Sequence, residues 1–484
     1  MRSLLDALAR DREPRRNGGR DLRGDAVADT RYQKLSPHPN GPSHEQVAAH
    51  QRGRLRRAMV EAVARDGYDA ITVGRLCALA GVSKRAFYEL FTGKPDCFEL
   101  TYEYVTHRSA RRLALACAVG EPGRQLLQDA LGEFLQGVAR QPESASFVLV
   151  HALDSTPAAL ERRERVVALF EQRIAACLPG GELLSPAIRR GIVAGVAEVT
   201  RARLLDGRAS ELPDLAGELA DWAWSCAHAA AIAAWRVKTR ERHAEPRAAS
   251  GTRPERRRLH LVEPARNPED RGESRLDRSP RGERRLLFES AIALAARAGV
   301  LALTPGALAA DSGISSRRVN ALFEGADQCL LEALRCLGEE LLAGSALAGT
   351  GAESWQQAVR RSVAALLGGL VHAPALAQVM FMEALAVGPR AVALRSSLCA
   401  RGARSLSLSV PAAHRPSAVA CEASTGAVLG IVERHVVKGA VGRLPRLAAP
   451  ACLLLLAPAM GAGVVHETER SENDPFARLT LVGA

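Results

Sequence analysis

Apolar residues recur at helical spacing through most of the chain. Leu55, Ala58, Met59, Ala62 and Val63 stand three, four, seven and eight positions apart on one stripe, which predicts a helix that begins near Arg52 and buries that face. Asp66-Gly67 closes it, glycine being the usual residue past a helix end. Thr72 is placed to cap a second helix over 73–80 and Ser83 a third, because a hydroxyl there accepts a free backbone N–H of the first turn. Gly81 lies between these two helices, at a turn where a residue without Cβ enters the left-handed region at no steric cost. Gly93-Lys94-Pro95 opens a fourth helix with proline near its first position. From 120 to 240 the helical pattern continues, interrupted at Pro122, Pro142, Pro157, Pro179, Pro186 and Pro213. Aromatics are only 4% and Ala, Leu, Val and Arg dominate, a mix that favours helices over sheets, so the expected fold class is all-α.

The stretch Ala80–Phe91, AGVSKRAFYELF, organises the rest. Phe87 and Phe91 are four apart and share a face toward a core. Lys84, Arg85, Tyr88 and Glu89 then point outward. A short helix presenting cations and a tyrosine after a tight turn suits insertion into a DNA major groove, where arginine grips guanine through two hydrogen bonds.

The pattern starts over in the second half of the chain, at one constant offset. Gly67, Thr72, Gly81, Ser83, Phe91 and Cys97 correspond to Gly299, Thr304, Gly313, Ser315, Phe323 and Cys329, and Leu212-Pro213 to Leu444-Pro445. A register held without gaps over about 160 residues points to an internal duplication of one helical module. It also bears on the one membrane-length apolar run, Leu447–Val465. Its counterpart, Leu215–Ala233, contains Glu218 and Asp221, which a bilayer core disfavours. A helix buried between other helices is expected in both copies, and no membrane partner.

Gly67, Thr72, Ala80–Ser83, Phe87-Tyr88, Phe91, Lys94 and Asp96 together resemble the TetR family of bacterial transcriptional regulators. The match is densest over Gly67–Phe98, and Leu90 departs from the histidine often found there. The resemblance implies two TetR-like all-α modules, each a helix-turn-helix domain followed by a helical ligand-binding and dimerisation domain. It implies a double-stranded DNA operator, release by an unknown small molecule, and pairing through the last two long helices. Expected boundaries are 44–118 and 281–347 for the helix-turn-helix domains and 119–237 and 348–468 for the regulatory domains. A basic arm (1–43) and a charged linker (238–280) are read as disordered, and 469–484 is a tail. Pairing within the chain, as a pseudo-dimer, or between two chains as a homodimer both remain open.

The expected DNA-contacting residues are Arg54, Thr72, Ser83, Lys84, Arg85, Tyr88 and Lys94. In the second unit they are Thr304, Ser315, Ser316, Arg317, Arg318 and Asn320. There Val319-Asn320 replace Phe87-Tyr88, Ala326 replaces Lys94 and Glu324 replaces Thr92, so a divergent reader and a structural relic are both open. Thr72 and Ser83 serve as helix caps whether or not they meet phosphate, and Lys84 and Arg85 on a bland reading form a solvated cationic face.

The net charge of +12 is uneven. Residues 1–57 hold 13 Lys or Arg against 7 Asp or Glu, and residues 236–285 hold 16 against 9. Each excess adjoins a helix-turn-helix, which fits phosphate contact, although solvated arms have the same composition. The ten cysteines form no C-x-x-C pair; Cys77, Cys117 and Cys226 lie in apolar runs and read as free thiols of a reducing cytoplasm. His44 and His50 are six apart, not the four a helical zinc pair needs. No metal, cofactor or catalytic motif is found, which argues against an enzyme. Phe147, His151, Trp222, Trp224 and Met380-Phe381-Met382 are possible linings of a ligand pocket within 120–235 and 350–465, and each is otherwise ordinary core. The alternative to a DNA-binding regulator is a ligand-sensing or interaction module that kept the fold and lost its operator.

Overall fold

A computed structural model describes residues 43–118, 120–151, 157–178, 180–243 and 280–460. The basic arm, residues 244–279 of the expected linker, the C-terminal tail and the end of the Leu447–Val465 run lie outside them. The chain is all-α, and no strand occurs among the described residues.

The first helix, α1 (His44–Asp66), starts well before its apolar stripe predicts. Ser43 and Gln46 form a reciprocal capping box that satisfies the leading backbone N–H groups. Helices α2 (Val73–Ala80) and α3 (Lys84–Leu90) follow the predicted caps: Thr72 accepts from the Arg75 N–H and Ser83 from the Ala86 N–H. Between them Gly81 is left-handed, with φ 58°. A Cβ there would also fall on the Arg54 guanidinium, so the turn requires glycine for both its conformation and its packing. Leu55, Met59, Leu76, Phe87, Phe91 and Cys97 close a small core between α1, α2, α3 and the long α4 (Lys94–Cys117).

Helices α5 (Arg124–Arg140), α6 (Pro142–Ser146), α7 (Pro157–Ala176), α8 (Pro186–Leu205) and α9 (Ala216–His243) complete the first half. Helix α9 runs into the expected linker as far as His243. The second half repeats the order with α10 (Pro280–Ala298), α11 (Pro305–Ser312), α12 (Ser316–Leu322), α13 (Ala326–Ala348), α14 (Trp355–His372), α15 (Pro374–Phe381), α16 (Pro389–Ser409), α17 (Ala418–Val437) and α18 (Ala448–Met460). The bounds of α2, α3, α8 and the 3-10 turn Ala209–Leu215 recur in the same register in α11, α12, α17 and the turn Val441–Leu447. So do the left-handed glycines: Gly67, Gly81 and Gly207 match Gly299, Gly313 and Gly439.

Helices α8 and α17 make the most extensive helix contact in the molecule, and α9 packs on α18. One apolar core runs across both halves, from Ile188, Val199 and Trp222 to Val428, Ile431 and Leu454. Close approach depends on glycine: Cβ atoms at Gly426 and Gly430 would collide with Glu198 and Ala194, and one at Gly191 would lie 2.6 Å from Leu454. The segment Val441–Met460 is long and apolar enough to cross a membrane. In the fold Ala448, Ala451, Leu454 and Ala457 of α18 are buried, and the Leu454 carbonyl accepts from the Ser424 hydroxyl at 2.8 Å.

Candidate nucleic-acid interface and ligand cavity

The first helix-turn-helix presents the expected outward face. Phe87 is fully buried and Tyr88 is 59% exposed, so the two neighbours divide between core and surface as α3 winds on by one residue. The Tyr88 ring stands edge-on to Phe87, which fixes the phenol's direction. Thr72, Ser83, Lys84 and Arg85 are exposed. Arg85 Nε donates to Glu89 at 3.1 Å in a pair exposed on both sides, a link worth little in water and readily exchanged for a base or phosphate. Lys94 is half-buried; it donates to the Tyr68 carbonyl at 3.2 Å and lies 4.1 Å from the centre of the Tyr68 ring.

Arg54 differs from expectation. It is 6% exposed, and Nη2 donates to the Gly81 carbonyl at 3.1 Å. Its guanidinium braces the turn from inside instead of facing outward, because α1 crosses behind α2 and α3.

The second unit keeps the geometry with fewer available charges. Thr304 and Ser315 cap α11 and α12, and Ser316, Arg317 and Asn320 are exposed. Arg318 turns back to α10, where Nε meets Glu283 at 2.8 Å. That carboxylate removes Arg318 from the outward face, so of the expected cations only Arg317 points out.

A large cavity of about 1360 Å³ lies behind the first helix-turn-helix. Helices α1, α4, α5, α7 and α8 wall it, and the second half closes it with Arg395, Gly426, Gly430, Glu433 and Arg434. It reaches residues 50–61 and 101–113, ahead of the range expected for a pocket. Phe147, His151, Trp222, Trp224 and Met380–Met382 do not line it. Phe147 belongs to the helix-turn-helix core, Trp222 donates to Ser424 across the halves at 2.9 Å, Trp224 stacks on His228 and Phe381 is buried in the core that runs across both halves. Among the described residues no cluster of His, Cys, Asp and Glu could hold a metal.

Residues 55–101 match the family model described as bacterial regulatory proteins, tetR family. That segment is a TetR-type helix-turn-helix. The match falls on the helices that present Thr72, Ser83, Lys84, Arg85 and Tyr88. No curated protein matches the chain. Among solved structures, the fatty acid degradation regulator FadR from Bacillus halodurans is 15% identical, with a TM-score of 0.33, over 36% of this chain and 94% of its own. FadR from Bacillus subtilis, in complex with stearoyl-CoA, is 14% identical, with a TM-score of 0.31, over 36% and 97%. A TetR-like regulator from Rhodococcus sp. RHA1 is 22% identical, with a TM-score of 0.29, over 35% and 93%.

Two features of this chain escaped the sequence pattern. Cys117 and Cys177 form a disulfide across 60 residues, with Cα atoms 5.6 Å apart, so Cys117 is not a free thiol. The ends of α4 and α7 meet only in the fold, and no spacing motif announces it. The other is a set of buried ion pairs between the halves. Arg163 pairs with Glu433 at 2.8 Å, Arg203 with Glu422 at 3.0 Å and Arg395 with Glu198 at 3.5 Å. The register between the halves, extended to charged positions of α7 and α8, is the signal that would have found it.

Proposed function

We propose that the chain is an operator-binding repressor, acting in the cytoplasm, that releases DNA when a small molecule occupies the cavity of its first half. The two halves, with boundaries at 44–118, 119–237, 281–347 and 348–468, pair within one chain as a pseudo-dimer. The observation that carries this reading is the exposed Lys84, Arg85 and Tyr88 face on a capped helix behind the Gly81 turn. Thr72 and Lys94 flank it where phosphates of a bound duplex would pass. Helix α4 bears Lys94 at one end and cavity-lining residues from Thr101 to Leu113 along its length. Occupation of the cavity then bears directly on the helix that carries the reading head.

The second unit supplies less. With Arg318 held by Glu283, Ser315, Ser316, Arg317 and Asn320 form a weak reader, and the operator is asymmetric with its main half-site under α3. That same weakness favours, as a second reading, a ligand-sensing protein without an operator.

Selection of bound DNA from a random library separates the two. The intact chain enriches a defined sequence, a Lys84/Arg85/Tyr88→Ala variant does not, and an Arg317/Asn320→Ala variant loses information on one side only. Failure of the intact chain to enrich any sequence overturns the reading. Light scattering on the complex gives one 51.6 kDa chain per duplex for a pseudo-dimer, and twice that for a homodimer.

A further inference from the structure

Two sets stand out among the charged groups lining the cavity of the first half, which also include Arg56, Arg57, Glu61, Glu143 and Arg201. At the closed end, buried arginines are matched by carboxylates: Arg190 lies 3.1 Å from Glu171 and also meets Glu164, and Arg163 and Arg395 share Glu433. These charges compensate one another and leave no net demand for a counter-ion.

The other set is Arg108 and Arg112 on α4 and Arg140 at the end of α5, all lining the cavity. Arg108 and Arg140 are exposed and Arg112 is half-buried, which places them at the rim. None of the three is ion-paired with a described carboxylate. Arg140 donates to the neutral Gln136 at 3.0 Å, and Arg112 Nη1 lies 3.2 Å from where a Cβ on Gly137 would be. Burial, followed by the Arg108 and Arg140 charges, lowers the Arg112 pKa, with Glu133 and Tyr104 acting the other way. Like charges gathered at a cavity rim await an anion. Between the two sets the wall is apolar, with Leu113, Leu131, Phe134, Val138, Val166 and Phe170. The volume exceeds the ~300–1,000 Å³ of ordinary ligand pockets.

The second half lacks the rim. In the register that relates the halves, Arg108, Arg112 and Arg140 correspond to Glu340, Gly344 and His372. A carboxylate and a hydrogen atom replace two guanidinium groups.

We propose that the cavity binds one anionic amphiphile per chain, its apolar body along the Phe134–Phe170 wall and its oxyanion head on Arg108, Arg112 and Arg140, with no equivalent site in the second half. A carboxylate and a phosphate monoester fit the rim alike, since guanidinium pairs with both through two hydrogen bonds. The inference rests on the reading of the chain as a ligand-released regulator and adds the ligand's class and its one-sided placement.

The test is calorimetric titration of the full chain with three probes of one chain length, below their micelle concentrations: hexadecanoate, hexadecyl phosphate and hexadecanol. One or both anions bind at one per chain, and the neutral alcohol binds at least about tenfold more weakly. Preference between the two anions identifies the head group. Arg112→Gln combined with Arg108→Gln weakens anion binding about tenfold or more and leaves the alcohol unchanged. Glu340→Gln, at the matching place in the second half, changes nothing. A thermal melt of each variant confirms folding, and Arg140→Gln alone serves if the double variant does not fold. Equal binding of alcohol and anions, two sites per chain, unweakened binding by the rim variants, or no binding of any probe overturns the inference. Retained operator binding with no probe bound sinks this inference and leaves the DNA-binding reading standing. Tight anion binding without any operator does the reverse.

Discussion

Arg163 and Arg395 hold the same carboxylate: Arg163 lies 2.8 Å from one oxygen of Glu433 and Arg395 2.8 Å from the other. The two arginines occupy matching places in the two halves, yet Glu433 has Arg201 as its own counterpart. The symmetry is therefore broken where the halves meet. If two first halves paired through α8, Arg163 would face Arg201, and Arg203, which meets Glu422, would face Arg190. Both contacts turn from attraction into repulsion. The charges select a first half pairing with a second half.

Glu433→Gln tests that selection. Burial alone would raise the Glu433 pKa, and Arg163 and Arg395 more than offset it, holding it down at about 2. Its folded value lies below the ordinary 4.5, so its contribution is complete above pH 4.5 and is lost as pH falls toward 2. Removing the charge leaves Arg163 without its carboxylate and Arg395 with Glu198 alone, at a cost of ~3–5 kcal/mol. Urea melts at pH 7 show the loss. Between pH 4.5 and 2 the variant's stability falls less steeply than that of the parent chain, and equal slopes would exclude Glu433 as the titrating group.

Gly430→Ala probes the same interface by shape. The added Cβ collides with that of Ala194 on the facing helix. Overpacking of this kind costs ~1–3 kcal/mol. Changing Ala194 to Gly in the same chain restores the parent Tm, because the space lost on α17 is returned on α8. A double variant no more stable than Gly430→Ala would remove the contact from consideration.

Arg54 and Tyr88 separate bracing from reading. Arg54→Ala removes the donor to the Gly81 carbonyl and lowers Tm while leaving the salt dependence of DNA binding as it was. Lys94→Ala, if Lys94 meets a phosphate, lowers the slope of log K against log salt by about 1. Tyr88→Phe weakens binding equally for all sequences, and Arg85→Ala costs ~1–3 kcal/mol at one base pair only. Competition binding at several salt concentrations reads all four. A reduced salt slope for Arg54→Ala would return that side chain to the phosphate contacts.

The heads were legible in the sequence because their signals are local: Thr72, Gly81 and Ser83 act within three residues of themselves, and the same devices recur at Thr304, Gly313 and Ser315. The constant register between the halves extended that local signal along the chain. What stayed hidden is what depends on several elements at once. Arg108 and Arg112 on an amphipathic helix look like a solvated face until α5 brings Arg140 beside them. Arg54 and Arg85 are equally cationic on paper, and only the crossing of α1 behind the turn sends one inward and leaves the other out.

The Cys117–Cys177 bond yields a last prediction. It closes a loop of 60 residues and ties the end of α4 to the end of α7, and the Cys177 carbonyl accepts from the Gly123 N–H at 3.0 Å, so the start of α5 is pinned beside it. In the chain-entropy model a loop of this length contributes about 4 kcal/mol, or roughly 5–15 °C in Tm. Dithiothreitol lowers the Tm of the parent chain by that amount and leaves a Cys117→Ser/Cys177→Ser chain unaffected. The oxidised parent also migrates faster than the variant on a non-reducing denaturing gel. In a reducing cytoplasm the bond is opposed by the thiol pool, so its formation marks oxidising conditions, and it constrains α4, the helix that joins Lys94 to Arg112. Operator affinity measured with and without reductant then differs for the parent and not for the serine variant. Identical affinities would make the bond a staple of the helical bundle with no hold on the reading head.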